Sequence, residues 1–257
     1  MAAEGRASGV LWRADMEEGS LADWYHPSSG ATGNYGGGEY NSGSADSDAT
    51  TGRAHSGSYA VQATVAGSGG TRLFRWREPR LHRELVFDAW LYFPRAFRVT
   101  GADRLWDVLQ WKSRSTSGEV VPIWFINIQS GSRGTLTPDL IWSSRTLAGP
   151  QRGQRGFRRL RPLRRTRIPT DRWVHFKAFM RQSKDFDGVL RIWQDGRLIF
   201  DQRRIRTSLA NCEFNSWCAA NEWSVNNYSS GLLPSPASIY VDDARIRRPC
   251  AASRSCR

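Results

Sequence analysis

The chain has 257 residues, and its 37 Lys and Arg against 24 Asp and Glu give a formal net charge of +13. A field of that sign attracts polyanions (nucleic acid, anionic lipid or acidic polysaccharide) without choosing among them. The length suits one large β domain; no window approaches the roughly 18 apolar residues of a membrane-spanning helix, and no fixed-period repeat points to a solenoid.

Residues 1–9 are expected to be flexible and lack a hydrophobic signal core, so the chain is either cytoplasmic or a mature form whose signal has been removed. The first strand is expected in "GVLWRADME". It is followed by "HPSSGATGNYGGGEYNSGSADSDATTG", whose Gly, Ser and Asp content predicts a long surface excursion. Short runs of period-2 alternation come next: "SYAVQATV", "TRLFRWRE", "ELVFDAWLYFP", "DVLQWKS", "VPIWFINIQ", "DLIWSS", "RWVHFKAFMRQ", "GVLRIWQDGRLIFDQ" and "SIYVDDARI". Asp195–Gly196 between two apolar arms is the best hairpin signal in the chain. Many short strands with turn residues between them predict an all-β sandwich or jelly roll, a single domain over 10–248.

Residues 151–167 stand apart. They carry Arg152, Arg155, Arg158, Arg159, Arg161, Arg164, Arg165 and Arg167, read either as a solvated basic loop or as a clamp for a polyanion. The four cysteines, Cys212, Cys218, Cys250 and Cys256, form two pairs close in sequence. Two small disulfide loops, one closing the tail 249–257, would favour a secreted protein; free thiols are the other reading.

Alternation assigns faces. Arg75 and Arg77 share one face, opposite Phe74 and Trp76. Val108, Gln110 and Lys112 share another. Asn127 and Gln129 lie opposite Trp124, Ile126 and Ile128. Trp173, His175 and Lys177 lie opposite the apolar Val174, Phe176, Ala178 and Met180. The polar faces are rich in Arg, Lys, His, amides and Trp. Such a mixture suits an anionic sugar: aromatics stack on rings, amides bond hydroxyls, and Arg grips carboxylate or sulfate.

"LWRADMEEGSLADW", "FDAWLYFP", "DVLQWKS", "WVHFKAFMRQSKDFDGVLRIWQDGRLIF", "WSVNNYSSGL" and "IYVDDARI", in this order, resemble the heparin-lyase-I-like polysaccharide lyases, relatives of alginate and glucuronan lyases. The resemblance runs from about residue 10 to 247. It implies a concanavalin A-like β-jelly roll, a two-sheet antiparallel sandwich, and β-elimination on a uronic acid polymer. It places an Arg motif on Arg75 and Arg77 and a Gln-x-His motif on Gln110, with Lys112 where His would stand. It also places a Lys-x-x-x-Tyr motif on Tyr228, with Ser224 where Lys would stand. Tyr228 would be the acid and could also be the base, with Lys112 or His175 as the other candidates for that role. Arg75, Arg77, Asn127, Gln129, Trp173, Lys177 and Asn226 would bind substrate. Alternation puts Asn226 with Tyr228 toward the groove and Asn227 away from it.

Glu17 with Asp242 and Asp243 would offer hard oxygens to a structural Ca²⁺ of the kind that pins terminal strands in jelly rolls. No organic cofactor is expected. A two-carboxylate glycosidase strand and a Gly-x-Ser-x-Gly elbow are both missing, which disfavours a hydrolase. The expected partner of this monomer is an anionic polysaccharide such as glucuronan, alginate or a heparin-like polymer. Nucleic acid is disfavoured, because no recognition helix, zinc finger or ribonucleoprotein motif accompanies the basic segment. The departures at Lys112 and Ser224 keep a non-catalytic, lectin-like module open as the alternative.

Overall fold

The computed structural model describes residues 9–25, 36–131, 134–143, 157–212 and 221–249. The strands in chain order are β1 (Val10–Ala14), β2 (Gly37–Thr50), β3 (Ala60–Arg75), β4 (Glu84–Tyr92), β5 (Arg98–Val99), β6 (Trp106–Arg114), β7 (Val120–Ser130) and β8 (Leu136–Ser143). They continue with β9 (Phe157–Leu160), β10 (Trp173–Arg181), β11 (Gly188–Gln194), β12 (Arg197–Ile205), β13 (Asn221–Ser229), β14 (Leu232–Leu233) and β15 (Ala237–Arg247). A five-residue helix α1 (Arg77–Leu81) follows β3. All strand pairings are antiparallel.

The main sheet is one hydrogen-bonded path, β12-β11-β10-β4-β15-β3-β13-β6-β7-β8-β9, with β1 on β15 and β2 on β3. It curls into a jelly roll. The two expected sheets are continuous because β3 serves both: Val61–Val65 pair with β15, whereas Gly69–Arg75 pair with β13. The runs "SYAVQATV" and "TRLFRWRE", expected as two strands, are joined through the intervening "AGSGG". The Gly/Ser/Asp-rich stretch is not wholly an excursion either. Its second half is β2, which pairs along the whole of β3. Its small residues suit a strand whose ladder, rather than its side chains, holds it in place; residues 26–35 lie outside the described set.

One apolar cluster fills the roll. β10 contributes Val174, Phe176, Ala178 and Met180, the face that alternation assigned to the core. Phe87 of β4 meets Trp111 of β6 (5.8 Å between ring centroids) and Trp223 of β13 (5.4 Å). These contacts stack the inward face of the β4/β10 layer on that of the β6/β13 layer, and each such ring contributes roughly 1.5–3 kcal/mol by burial. The polar faces of the two layers therefore point in opposite directions. The Asp195–Gly196 turn forms as expected, with both residues at positive φ (49° and 76°), which a two-residue hairpin of this hand requires.

Candidate active site

β6 and β13 pair in the middle of one layer and build the floor of a cavity of about 570 Å³ on its polar face. Tyr228, Asp107, Gln110, Asn127, Arg72 and Arg159 line it, with Phe125, Ile141, Leu105 and Pro122 as apolar wall. That size and mixture suit a small-molecule or sugar site. Strict alternation along β13 sends Trp223, Val225 and Asn227 inward and Ser224, Asn226 and Tyr228 outward. Asn227 confirms the inward direction: its amide donates to the carbonyls of Ala63 and Ala237 and accepts from the Trp106 indole, all at 2.9–3.0 Å. Gly70 is the β3 partner of Tyr228. A Cβ there would lie 2.3 Å from Tyr228 Cα, so the strands close beneath the tyrosine only because residue 70 is glycine.

β6 breaks its alternation with a register shift between Asp107 and Leu109, which sends Val108 and Leu109 to the core and brings Asp107 onto the same face as Gln110. Gln110 Nε2 donates to Asp107 Oδ2 at 2.5 Å. Arg72 spans the groove wall, its guanidinium 3.9 Å from the Tyr228 ring centre and 5.5 Å from that of Tyr40. Gln110 Oε1, Arg72 Nε and Ser224 Oγ of this floor are buried without a partner in the protein, while Asn226 reaches the Asp107 carboxyl. Such groups are costly unless something polar meets them. Burial pushes the Asp107 carboxyl up to about 7 against the pull of Arg72, a side-chain hydrogen bond from Asn226 and the charge of Lys112.

The sequence-based residues divide. Tyr228, Gln110, Asn127 and Asn226 come to this floor or its edge. Asn127 is committed locally: its Oδ1 accepts from Trp106 N (2.6 Å) and its Nδ2 donates to the Arg104 carbonyl, which stabilises the β6 bulge. Gln129 also bonds Arg104 O (3.3 Å) and lines a neighbouring cavity. Lys112 forms an ion pair with buried Glu222 at 2.9 Å. Arg75 is not in the groove. It points inward beside Leu73, makes a bidentate pair with Glu78 (2.6 and 3.0 Å) and donates to Trp24 O (2.8 Å). Arg77 has left the strand and opens α1, exposed. Arg72, rather than Arg75 or Arg77, is the β3 arginine that lines the cavity.

Trp173, His175 and Lys177 lie on the outer face of the other layer. His55, Trp90 and His175 stack there at 3.8 and 4.7 Å, with His175 Nε2 3.6 Å from Asp88. Burial raises the Asp88 carboxyl, but bonds from His175 and Arg247 outweigh it and hold its pKa below the ordinary value. Trp173 donates to Ala54 O, and Lys177 sits over Trp193. None of the three lines the Tyr228 cavity, because β10 and β13 belong to opposite layers.

The residues proposed for Ca²⁺ do not assemble as a cage. Glu17 accepts from the amides of Ser58 and Tyr59 at 3.0 Å. Among the described residues, Asp242 and Asp243 group with His55 instead. All four of their carboxylate oxygens already accept from protein donors: His55, Ser56, the Asp243 amide and Arg245. An imidazole and a guanidinium suit a hydrogen-bonded clasp of β15 onto residues 55–56 rather than a hard oxygen-liganded ion. Burial raises the Asp242 carboxyl, whereas the His55, Ser56 and Arg245 bonds lower that of Asp243. Cys212 is not a free thiol; Cys218, Cys250 and Cys256 lie outside the described residues.

Arg72 and Asp107 are the site residues that sequence reasoning missed. A signal existed for Arg72: Leu73, between Arg72 and Phe74, is the aliphatic residue whose burial fixes the parity. Nothing in the sequence marked the bulge that turns Asp107 to the polar face.

A family model described as polysaccharide lyase matches residues 28–218. No curated relative matches the chain in sequence. Among solved structures, an endo-β-1,4-glucuronan lyase from the fungus Trichoderma reesei superposes with a TM-score of 0.62 at 11% identity, over 93% of this chain and 96% of that one. Alginate lyase vAL-1 from a Chlorella virus gives 0.55 at 11%, over 93% and 100%. A carbohydrate esterase of the Shiga toxin-encoding bacteriophage phi24B gives 0.52 at 13%, over 94% and 99%. At these identities the superpositions establish the shared jelly roll and nothing finer.

Proposed function

The chain belongs to the polysaccharide lyase family, and from that premise we propose that the cavity beside Tyr228 cleaves a uronic acid polymer by β-elimination. The observation that carries this reading is the floor of buried polar groups, Asp107, Gln110, Ser224 and Asn226, with free acceptors at Gln110 Oε1 and Ser224 Oγ and with Arg72 and Tyr228 above it. A uronate carboxylate meets these groups: the Arg72 guanidinium and an Asn226 amide N–H hold it and neutralise its charge, which acidifies the C5 hydrogen. Tyr228, as its phenolate, takes that proton on the phenolic oxygen. The C4=C5 double bond forms as the C4–O4 bond breaks, and the same hydroxyl returns a proton to O4. Arg72 over the ring opposes the negative charge that the phenol carries as it yields its proton. One residue can serve both steps where C5–H and O4 lie on the same side of the sugar, as in glucuronate and mannuronate. His175 takes no part, and Lys112, paired with Glu222, shapes the field from the side.

The glucuronan and alginate lyases with the same fold put those two polymers first among substrates to try. Secretion, where cysteines such as Cys212 pair, is the setting in which such a polymer is met. The test is to incubate the protein with glucuronan, alginate, heparin, heparan sulfate, hyaluronan and pectate and follow the ultraviolet absorbance of the unsaturated uronate. A rise on at least one polymer is expected, reduced roughly 10²–10⁴-fold in Tyr228→Phe while binding persists. No rise on any polymer, or full turnover by Tyr228→Phe, contradicts the reading.

A further inference from the structure

A second cavity, of about 450 Å³, adjoins the first at the β7–β9 edge. Gln129, Asp139, Arg159, Arg161, Arg164 and Arg165 line it, four guanidinium groups with a single carboxylate among them. Asp139 is committed: it pairs with Arg159 at 3.2 Å and lies in the field of Arg161. Burial nonetheless raises its carboxyl, so the one local countercharge is itself disfavoured. Among the described residues, Arg164 and Arg165 form no ion pair. Gathering four cations in one concavity costs mutual repulsion that an anion would relieve.

The segment that carries these arginines is tied down, unlike an ordinary solvated basic loop. β9 pairs with β8, and Ile168 N bonds Leu136 O at 2.9 Å. Leu163 N bonds Ile199 O at 2.8 Å, Gln194 donates to Arg167 O at 2.8 Å, and Thr166 donates to Arg164 O at 2.9 Å. The guanidinium forks are therefore presented by a fixed backbone, which favours bidentate capture of a planar or tetrahedral oxyanion.

The two cavities are in step along the strands. Asn127 lines the first and Gln129 the second, two residues apart on one face of β7; Ile141 and Asp139 repeat the step on β8, and Arg159 lines both cavities. Two residues of strand span about 7 Å, a distance suited to the next sugar along a polymer. We infer that this cavity is a second anion subsite, which takes the carboxylate or sulfate ester of the sugar adjacent to the one at Tyr228. The enzyme then prefers polymers that carry charge on consecutive sugars. This inference rests on the Tyr228 cavity being the sugar site, and its test reads binding alone, so a failure of the β-elimination chemistry does not affect it.

The experiment uses Tyr228→Phe protein, so that binding is measured without cleavage, and compares polyglucuronate, heparin and hyaluronan by calorimetry at fixed salt. Polyglucuronate carries a carboxylate on every sugar, heparin places sulfates between its carboxylates, and hyaluronan leaves alternate sugars uncharged. Polyglucuronate or heparin should bind at least about tenfold tighter than hyaluronan. Arg164→Ala/Arg165→Ala, added to Tyr228→Phe, should erase most of that ratio and flatten the salt dependence, with the melting temperature unchanged. A preference for polyglucuronate alone assigns the site to carboxylates, and one for heparin alone assigns it to sulfates. Equal binding of all three, binding of none, or a ratio that survives the double substitution overturns the inference.

Discussion

The outer faces of the two layers are built from the same kinds of residue and do opposite things with them. On the β4/β10/β15 face, Asp88 meets Arg247 and His175, Asp243 meets His55 and Arg245, and the rings of His55, Trp90 and His175 stack on one another. On the β6/β13 face, Gln110, Ser224 and Arg72 hold buried atoms with no partner in the protein. The first face has satisfied itself; the second keeps buried polar atoms that no protein group meets. Composition alone cannot tell the two apart, since both supply Arg, Lys, Asp and amides or His. The difference lies in whether each buried polar group has somewhere to go.

The largest effect expected from breaking this contrast is at the arginines of β3. Arg75→Ala leaves Glu78 buried and unpaired, a loss of roughly 3–5 kcal/mol that should appear as a collapse of the melting temperature, with the folded fraction still turning over. Arg72→Ala should do the reverse: near-normal melting and a fall in kcat/KM of about 10²–10³-fold, as when one transition-state donor is removed. Thermal melts and polymer kinetics on the two variants separate them, and an exchange of phenotypes would place Arg75 in the site after all.

Asp107 sharpens the contrast through pH. Its folded pKa of about 7 lies above the 3.8 of an ordinary Asp. Between those values the folded state binds the proton more tightly than the unfolded chain, so stability falls as pH rises through this window and the loss is complete above it. Asp107→Asn removes the penalty. Its unfolding free energy, by denaturant titration, should exceed that of wild type above pH 7 by on the order of 4 kcal/mol at full effect and match it below pH 3.8. Wild-type KM should also rise above pH 7, where the ionised carboxylate repels the substrate's own. A variant with the same stability as wild type across the whole range would contradict the buried, proton-holding carboxyl.

Much of this was legible in the sequence. The apolar face of β10, that of β7 from Trp124 to Ile128, the Asp195–Gly196 turn and the outward direction of Asn226 and Tyr228 all follow from period-2 alternation, which those stretches keep. Legibility failed where the period breaks or the two faces look alike. The β6 bulge moved Asp107 beside Gln110 and sent Val108 inward. In "TRLFRWRE" both faces carry Arg and an apolar residue; the burial of Leu73 sets the parity, and the pairing of Arg75 with Glu78, three residues on and across a helix start, lets that Arg be the buried one. His175, Trp173 and Lys177 were read correctly as outward-facing, but alternation along one strand does not say on which side of the roll that strand lies. β2 was missed because its side chains carry almost no hydrophobic signal and β3 holds it through the backbone ladder.

The central claim is that function resides on the β6/β13 face and not on its look-alike. The most direct measurement is the rate of unsaturated uronate formation by Tyr228→Phe beside His175→Ala on the same polymer. Tyr228→Phe should fall at least about 100-fold, while His175→Ala stays within about twofold of wild type and loses only roughly 1 kcal/mol of stability from the Trp90 stack. Abolition of turnover by His175→Ala, with Tyr228→Phe still active, would move the reaction to the opposite face and contradict the account.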